Sequence, residues 1–437
     1  MRALVLAFDH LPLSCLGCYG NTWIETPHLD RLAAHGVVFD DCYSDEIPEA
    51  PRIPAGRSGQ GASTAGAAVD AHLVDMLRTA GIHTALCSER GSGLLPAAFD
   101  EVHEIAGSDG PETPARERPC ALVVAEAVEC WQRQFRTAEH SLLWVASRGI
   151  PSPWLPPAEI AGIYWEEFFD AESLRLVLAA ATGHESLAVD TTIDPEQSLT
   201  AALPGLVEAG LLKRGVVPEL EEFQALNRAV YAAYVSAIDA WCGTLLDAIS
   251  ATSPDDLLLI VTAASGDLLA PHPCVERDCP PIVDAVVRVP LIVRIGAGEP
   301  VGSRRGGLVS TADIPATLAA WLEPPEYTPP GDSRSLLPMI RCEADPVRDN
   351  VLFGAEGIGW GLRTGEFSCL CAVEHRAGGT PPRLGRPWLF SKPDDAGDFL
   401  DVADQNPAVA ESLAARISAV TGIEVGQAPD PLPAGET

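Results

Sequence analysis

The sequence predicts an α/β fold: a mainly parallel central sheet with helices on both faces, then a smaller C-terminal subdomain with an antiparallel sheet. Three observations predict it. Wholly apolar runs such as 3–8 and 257–262 alternate with helical patterns through most of the chain, as strands buried on both faces do. Beyond about residue 340 the runs shorten and glycines separate them, which suits antiparallel strands. The composition is 47% hydrophobic, enough for a large core.

The elements follow in order. Residues 3–8 are a short buried strand. Thr26-Pro27 starts a helix, with Thr as N-cap and Pro at the first helical position; Leu29, Leu32 and Ala33 form its apolar stripe and Gly36 closes it. A helix near 70–79 precedes strand 82–87, and a helix over 121–135 precedes strand 141–147. A longer helix over 219–250 leads into strand 257–262. Strand 289–294 and helix 312–322 come next, then short strands 350–355, 358–363 and 367–373, and a helix over 407–420. These elements divide the chain into an N-terminal α/β domain over 1–340, a C-terminal α+β subdomain over 341–425 and a flexible tail over 426–437.

Charge and termini narrow the function classes. The formal net charge is −32, which repels polyanions, so neither nucleic acid nor an anionic membrane is an expected partner. The expected partner is a small anionic ligand or another protein. Only Lys213 and Lys392 are lysines among the 29 basic residues. The first apolar run is too short for a secretory leader, and no apolar run approaches the length of a membrane span; the expected compartment is the cytoplasm. Twelve scattered cysteines predict free, mostly buried thiols. Cys15 and Cys18 are spaced like half of a zinc ribbon, but no second pair follows at ribbon spacing.

In parallel sheets ligands bind outside the carboxyl ends of the strands. Asp9-His10 and Ala264-Ser265 both follow strands at that end and are expected to share one crevice.

Gly17-Cys18-Tyr19-Gly20-Asn21, followed by the run from Thr26 to Phe39, closely resembles the N-terminal signature of the sulfatase family, within the alkaline-phosphatase-like superfamily. Gly81 to Leu86, Asp239 to Ala248, Arg288 to Ile292, Asp313 to Leu318, Ser333 to Pro338 and Pro387 to Phe390 resemble later family segments. The resemblance implies an alkaline-phosphatase/sulfatase-like fold. It also implies a chemistry of four parts: a divalent metal, a nucleophile matured to formylglycine, cations on the sulfate, and an acid for the leaving group. Metal and cations are needed because sulfuryl transfer builds negative charge on the equatorial oxygens.

Against that pattern the chain departs position by position. The family's Asp-Asp becomes Asp9-His10. The nucleophile position falls on Glu49 and its proline on Pro51; a one-residue shift brings Arg52 to the motif's arginine but Pro48 to the nucleophile. Cys42, Ser44 and Ser58 belong to other motif positions. Lys-Trp-His becomes Glu89-Arg90-Gly91, a later histidine falls on Pro151, the second metal pair on Ala264-Ser265 and the last lysine near Cys279. His272 matches the histidine of the family's Gly-Asp-His-Gly turn. The expectation is a catalytically degenerate member with a binding or regulatory role. Its remnant pocket comprises Asp9, His10, Glu49, Arg52, Glu89, Ala264, Ser265 and His272, with no catalytic residue, no formylglycine and no cofactor. Arg52, Arg57 and Arg90 remain as a candidate anion pocket. The alternative is an active hydrolase of sulfuric or phosphoric esters with a rebuilt metal site on Asp9, His10 and His272.

Overall fold

A computed structural model of the chain describes residues 1–45, 70–90, 98–110, 113–135, 138–152, 154–156, 162–164, 221–251, 255–269, 272–277, 279–296, 302–325, 327–329, 331–343, 348–355, 357–375 and 381–426. Its centre is an eight-stranded sheet. The strands are β1 (Arg2–His10), β2 (Val37–Tyr43), β3 (His83–Glu89), β4 (Glu101–Ile105), β5 (Ser141–Gly149), β6 (Leu257–Ser265), β7 (Leu291–Ile295) and β8 (Ser303–Ser310). They lie in the order β4-β3-β5-β1-β6-β7-β2-β8, and β7 alone runs against the others.

Burial explains which strands the apolar pattern reveals. β6 is buried along all nine residues, and β1 along every residue after Arg2. Three strands lacked that signal. β4 is an edge strand without one fully buried residue. β8 alternates exposed and half-buried residues before its buried end, and Asp40 and Asp41 interrupt β2.

Helices cover the sheet: α1 (Pro27–Ala34), α2 (Ala71–Thr79), α3 (Pro119–Cys130), α4 (Glu221–Ser250) and α5 (Asp313–Leu322). α3 is shorter than its pattern suggests, because Trp131–Phe135 widen into a π-helical turn. α4 is long and apolar enough to cross a membrane, yet 78% of its apolar window is buried within the protein, as in a core helix.

Thr26 does not cap α1. Its Oγ1 accepts from Gly17 N at 2.9 Å instead. Asp239 of α4 takes over, its carboxylate accepting from His28 N and Leu29 N at 3.1 and 2.8 Å. An acid at a helix N-terminus meets both the orphan amides and the positive end of the dipole.

A second, antiparallel sheet has the order β12-β11-β10-β9. Its strands are β9 (Asn350–Ala355), β10 (Gly359–Thr364), β11 (Phe367–Glu374) and β12 (Arg383–Ser391). α6 (Pro407–Thr421) packs Leu413, Ala414 and Ile417 with Cys369, Cys371 and Leu389 of this sheet. Tyr43 joins the two sheets: it stacks on Phe353 at 5.6 Å and accepts from Arg363 Nε at 2.9 Å.

Candidate functional site

The candidate site lies where β1, β5 and β6 end together. His10 stands beside Gly149 on one side and Ser265 on the other. The approach is close on both flanks. A Cβ on Gly149, whose φ is +67°, would meet His10 O at 2.4 Å, and one on Gly266 would meet Ala285 O at 2.1 Å. Only glycine permits such contacts.

Asp9 and His10 are almost fully buried. Ser265 Oγ donates to Asp9 O at 3.0 Å and lies 2.7 Å from His10 Nδ1. With the serine proton directed at the carbonyl, the imidazole Nδ1–H donates to the serine oxygen. Asp267 Oδ1 lies 3.9 Å from the same ring nitrogen, and Tyr231 OH of α4 donates to Asp267 Oδ2 at 2.7 Å. His10, Ser265 and Asp267 are thus part of one buried polar network, which takes in Asp9 through its backbone carbonyl.

The structure brings together Asp9, His10 and Ser265, as their strand-end positions predict. Ala264 is buried beside them and offers no donor. Glu89 is buried at the end of β3, accepting from Ser147 Oγ at 2.6 Å and Arg148 N at 3.1 Å. Burial raises its pKa above the ordinary glutamate value, against the opposing pull of the Ser147 hydrogen bond. Arg90 is exposed beyond it, its amide bonded to Ile105 O at 2.8 Å. His272 is buried under the C-terminal part of the chain, where its Nε2 bonds Gly397 O at 2.8 Å and its ring stacks on Phe399 at 4.9 Å. Glu49, Arg52, Arg57 and Ser58 lie outside the described residues.

Asp267 and Tyr231 also belong to this network, and the sequence pattern does not single them out. An ungapped count from the strand stops at Ala264-Ser265, two residues before the acid. The available signal was a carboxylate just past a buried strand at the ligand-binding end. Nothing marked Tyr231, which sits within a uniformly apolar stretch of α4.

A hard divalent cation of the calcium type takes six to eight oxygen ligands. Among the described residues the crevice offers Asp9, His10 and Asp267, with a methyl group at Ala264 and a serine hydroxyl bonded to Asp9 O and His10. This donor set does not fit such an ion. The Cys15 and Cys18 thiols nearby in sequence are both pushed up to about 12, chiefly by burial, and stay protonated. All twelve cysteines are free.

The fold has counterparts among solved structures. One, in complex with its substrate D-glucosamine-2-N,6-O-disulfate, superposes with a TM-score of 0.68 at 15% identity, covering 96% of this chain and 97% of that one. The fold is that of the sulfatases and phosphonate monoester hydrolases. The phosphonate monoester hydrolase of Agrobacterium radiobacter matches with a TM-score of 0.65 at 17% identity, over 96% and 95% of the two chains. That of Silicibacter pomeroyi matches with 0.63 at 19%, over 96% and 93%. In sequence, an N-acetylgalactosamine-6-O-sulfatase of Bacteroides thetaiotaomicron is 44% identical over 43 residues, which span 10% of this chain and 8% of that enzyme. No family model matches the chain.

Proposed function

We propose that this sulfatase-fold protein is catalytically degenerate and serves a binding or regulatory role. The observation that carries this reading is the Ser265 hydroxyl, turned onto Asp9 O and His10 at the strand ends. Ser265 and Ala264 stand where the family pattern asks for a second pair of metal ligands. The serine hydroxyl is bonded to Asp9 O and His10 instead. Metal and nucleophile positions in such an enzyme each carry orders of magnitude in rate. Purified protein, assayed on aryl sulfates, aryl phosphates and phosphonate monoesters with calcium, magnesium, manganese or zinc, is expected to show no turnover above background. Metal-dependent turnover that Asp9→Ala abolishes would overturn the reading.

One observation favours a rebuilt hydrolase. Asp267, absent from the expected ligand set, reaches 3.9 Å from His10, the residue after Asp9. Two carboxylates and an imidazole suit a zinc-like ion. Retention of activity and its loss in both Asp9→Ala and Asp267→Asn would select this alternative.

A further inference from the structure

Far from the crevice, at the exposed edge of the large sheet, sits a second cluster of ligating side chains. Glu101 and His103 are two apart on β4 and therefore share a face. Cys87 of β3 stands beside His103 in the parallel register. Cys130 ends α3, one turn after Glu126. One donor atom each from Glu101, His103 and Cys130 lies within 4.8 Å of the others. Cys87 Sγ is 3.7 Å from Cys130 Sγ.

We propose that Glu101, His103 and Cys130 form a site for one zinc-like ion that ties edge strand β4 to the end of α3, with the Cys87 thiol hydrogen-bonded to the Cys130 sulfur. Thiolate, imidazole and carboxylate together are zinc's donor set, and hard cations avoid thiolate. Glu101 Oε1 and His103 Nε2 are 2.7 Å apart across a shared proton; the ion takes that proton's place. The other ring nitrogen, Nδ1, lies 3.0 Å from Glu126 Oε1. A carboxylate on the distal nitrogen fixes the imidazole's tautomer and raises its basicity in protein zinc sites. Zinc bonds of about 2.0–2.3 Å draw ligand atoms closer than 4.8 Å, so the side chains close on binding. The Glu101 and His103 side chains are 26% and 21% exposed, which gives them room to move and the ion a way in. Arg133, 3.1 Å from Glu126 and half exposed, swings aside as the cation arrives. Binding releases the Cys130 thiol proton and the imidazole Nε2 proton.

The site is independent of the crevice. Three strand spacings, about 14 Å, separate β4 from β1, and His103 is level with Leu6, in the middle of β1 rather than at its end. The test is a cobalt(II) titration of metal-free, full-length protein under reducing conditions. The expected result is a thiolate-to-cobalt charge-transfer band saturating at one ion per chain, with zinc displacing it and raising the melting temperature. Cys130→Ser and His103→Ala are expected to lose the band, and Asp9→Ala to keep it. His103→Ala, at a half-buried edge position, decides the matter if the buried Cys130→Ser fails to fold. Absence of the band in the wild type, or its survival in a folded Cys130→Ser or His103→Ala variant, overturns the proposal.

Discussion

Ser265 shows how one side chain can change the character of a crevice. A carboxylate or amide there would present a ligand outward. A hydroxyl can donate and accept at once, and this one joins Asp9 O to His10 Nδ1. Glu89 tells a parallel story at the end of β3. By the family pattern it is a charge-reversed lysine position in a pocket; the structure shows its carboxyl turned onto Ser147 and Arg148 N. Burial raises its pKa, so its contribution favours folding below the unfolded glutamate pKa and fades as pH rises through the higher folded value. Glu89→Gln keeps an oxygen for the two donors and removes the charge. Urea unfolding is expected to find the variant at least as stable as wild type at neutral pH, the difference shrinking as the pH falls toward the ordinary glutamate range. Marked destabilisation at neutral pH would mean the charge itself is used. What the residues revealed was position: Asp9, His10 and Ser265 were legible because each ends a buried strand. Asp267 was hidden by a two-residue offset, and Tyr231 by the apolar helix around it.

At the scale of elements, α1 is held from outside. Its N-terminal amides are satisfied by Asp239, more than two hundred residues away, while Thr26 serves the preceding turn. Pro27 and the Leu29, Leu32, Ala33 stripe announced the helix from sequence, because starts and apolar faces are local. The cap was illegible because it is tertiary. Asp239→Ala is expected to cost about 1–2 kcal/mol, as losing an N-cap does. Hydrogen exchange should quicken at His28 and Leu29 ahead of the α4 amides; uniform loss of protection would instead make Asp239 a general core residue. The same locality explains the strands. β1, β5 and β6 declared themselves by continuous burial. β4 carries no such run, and the side chains that mark it are the donors of the proposed edge site.

For the whole molecule, the decisive contact is the junction between the large sheet and the antiparallel one, with Lys392 at its centre. Its ammonium lies 2.9 Å from Asp284 Oδ2 and 2.8 Å from Asp398 Oδ1, and donates to Asp395 O at 2.7 Å. Asp398 Oδ2 also accepts from Asp284 N at 2.7 Å. All three charged side chains are nearly inaccessible, so one cation is shared by two buried carboxylates and binds the C-terminal part to the short helix Asp284–Val287. In the sequence Lys392 stands out only as one of two lysines; here it is structural. Lys392→Met leaves both acids without their cation, and breaking a buried pair from one side costs about 3–5 kcal/mol. The pH dependence has a definite sign. Burial, then the neighbouring Asp284, push Asp398 up to about 7 despite the lysine. Its folded state therefore binds a proton that the unfolded state releases, and its contribution to stability falls as pH rises from the ordinary aspartate range through about 7. Removing the lysine leaves the charged form still less favoured, so the variant's deficit is expected to be largest above that pH and to narrow on mild acidification, where Asp398 takes up its proton. Chemical denaturation of both proteins across that range checks it; a deficit independent of pH would show that Lys392 acts through packing rather than charge.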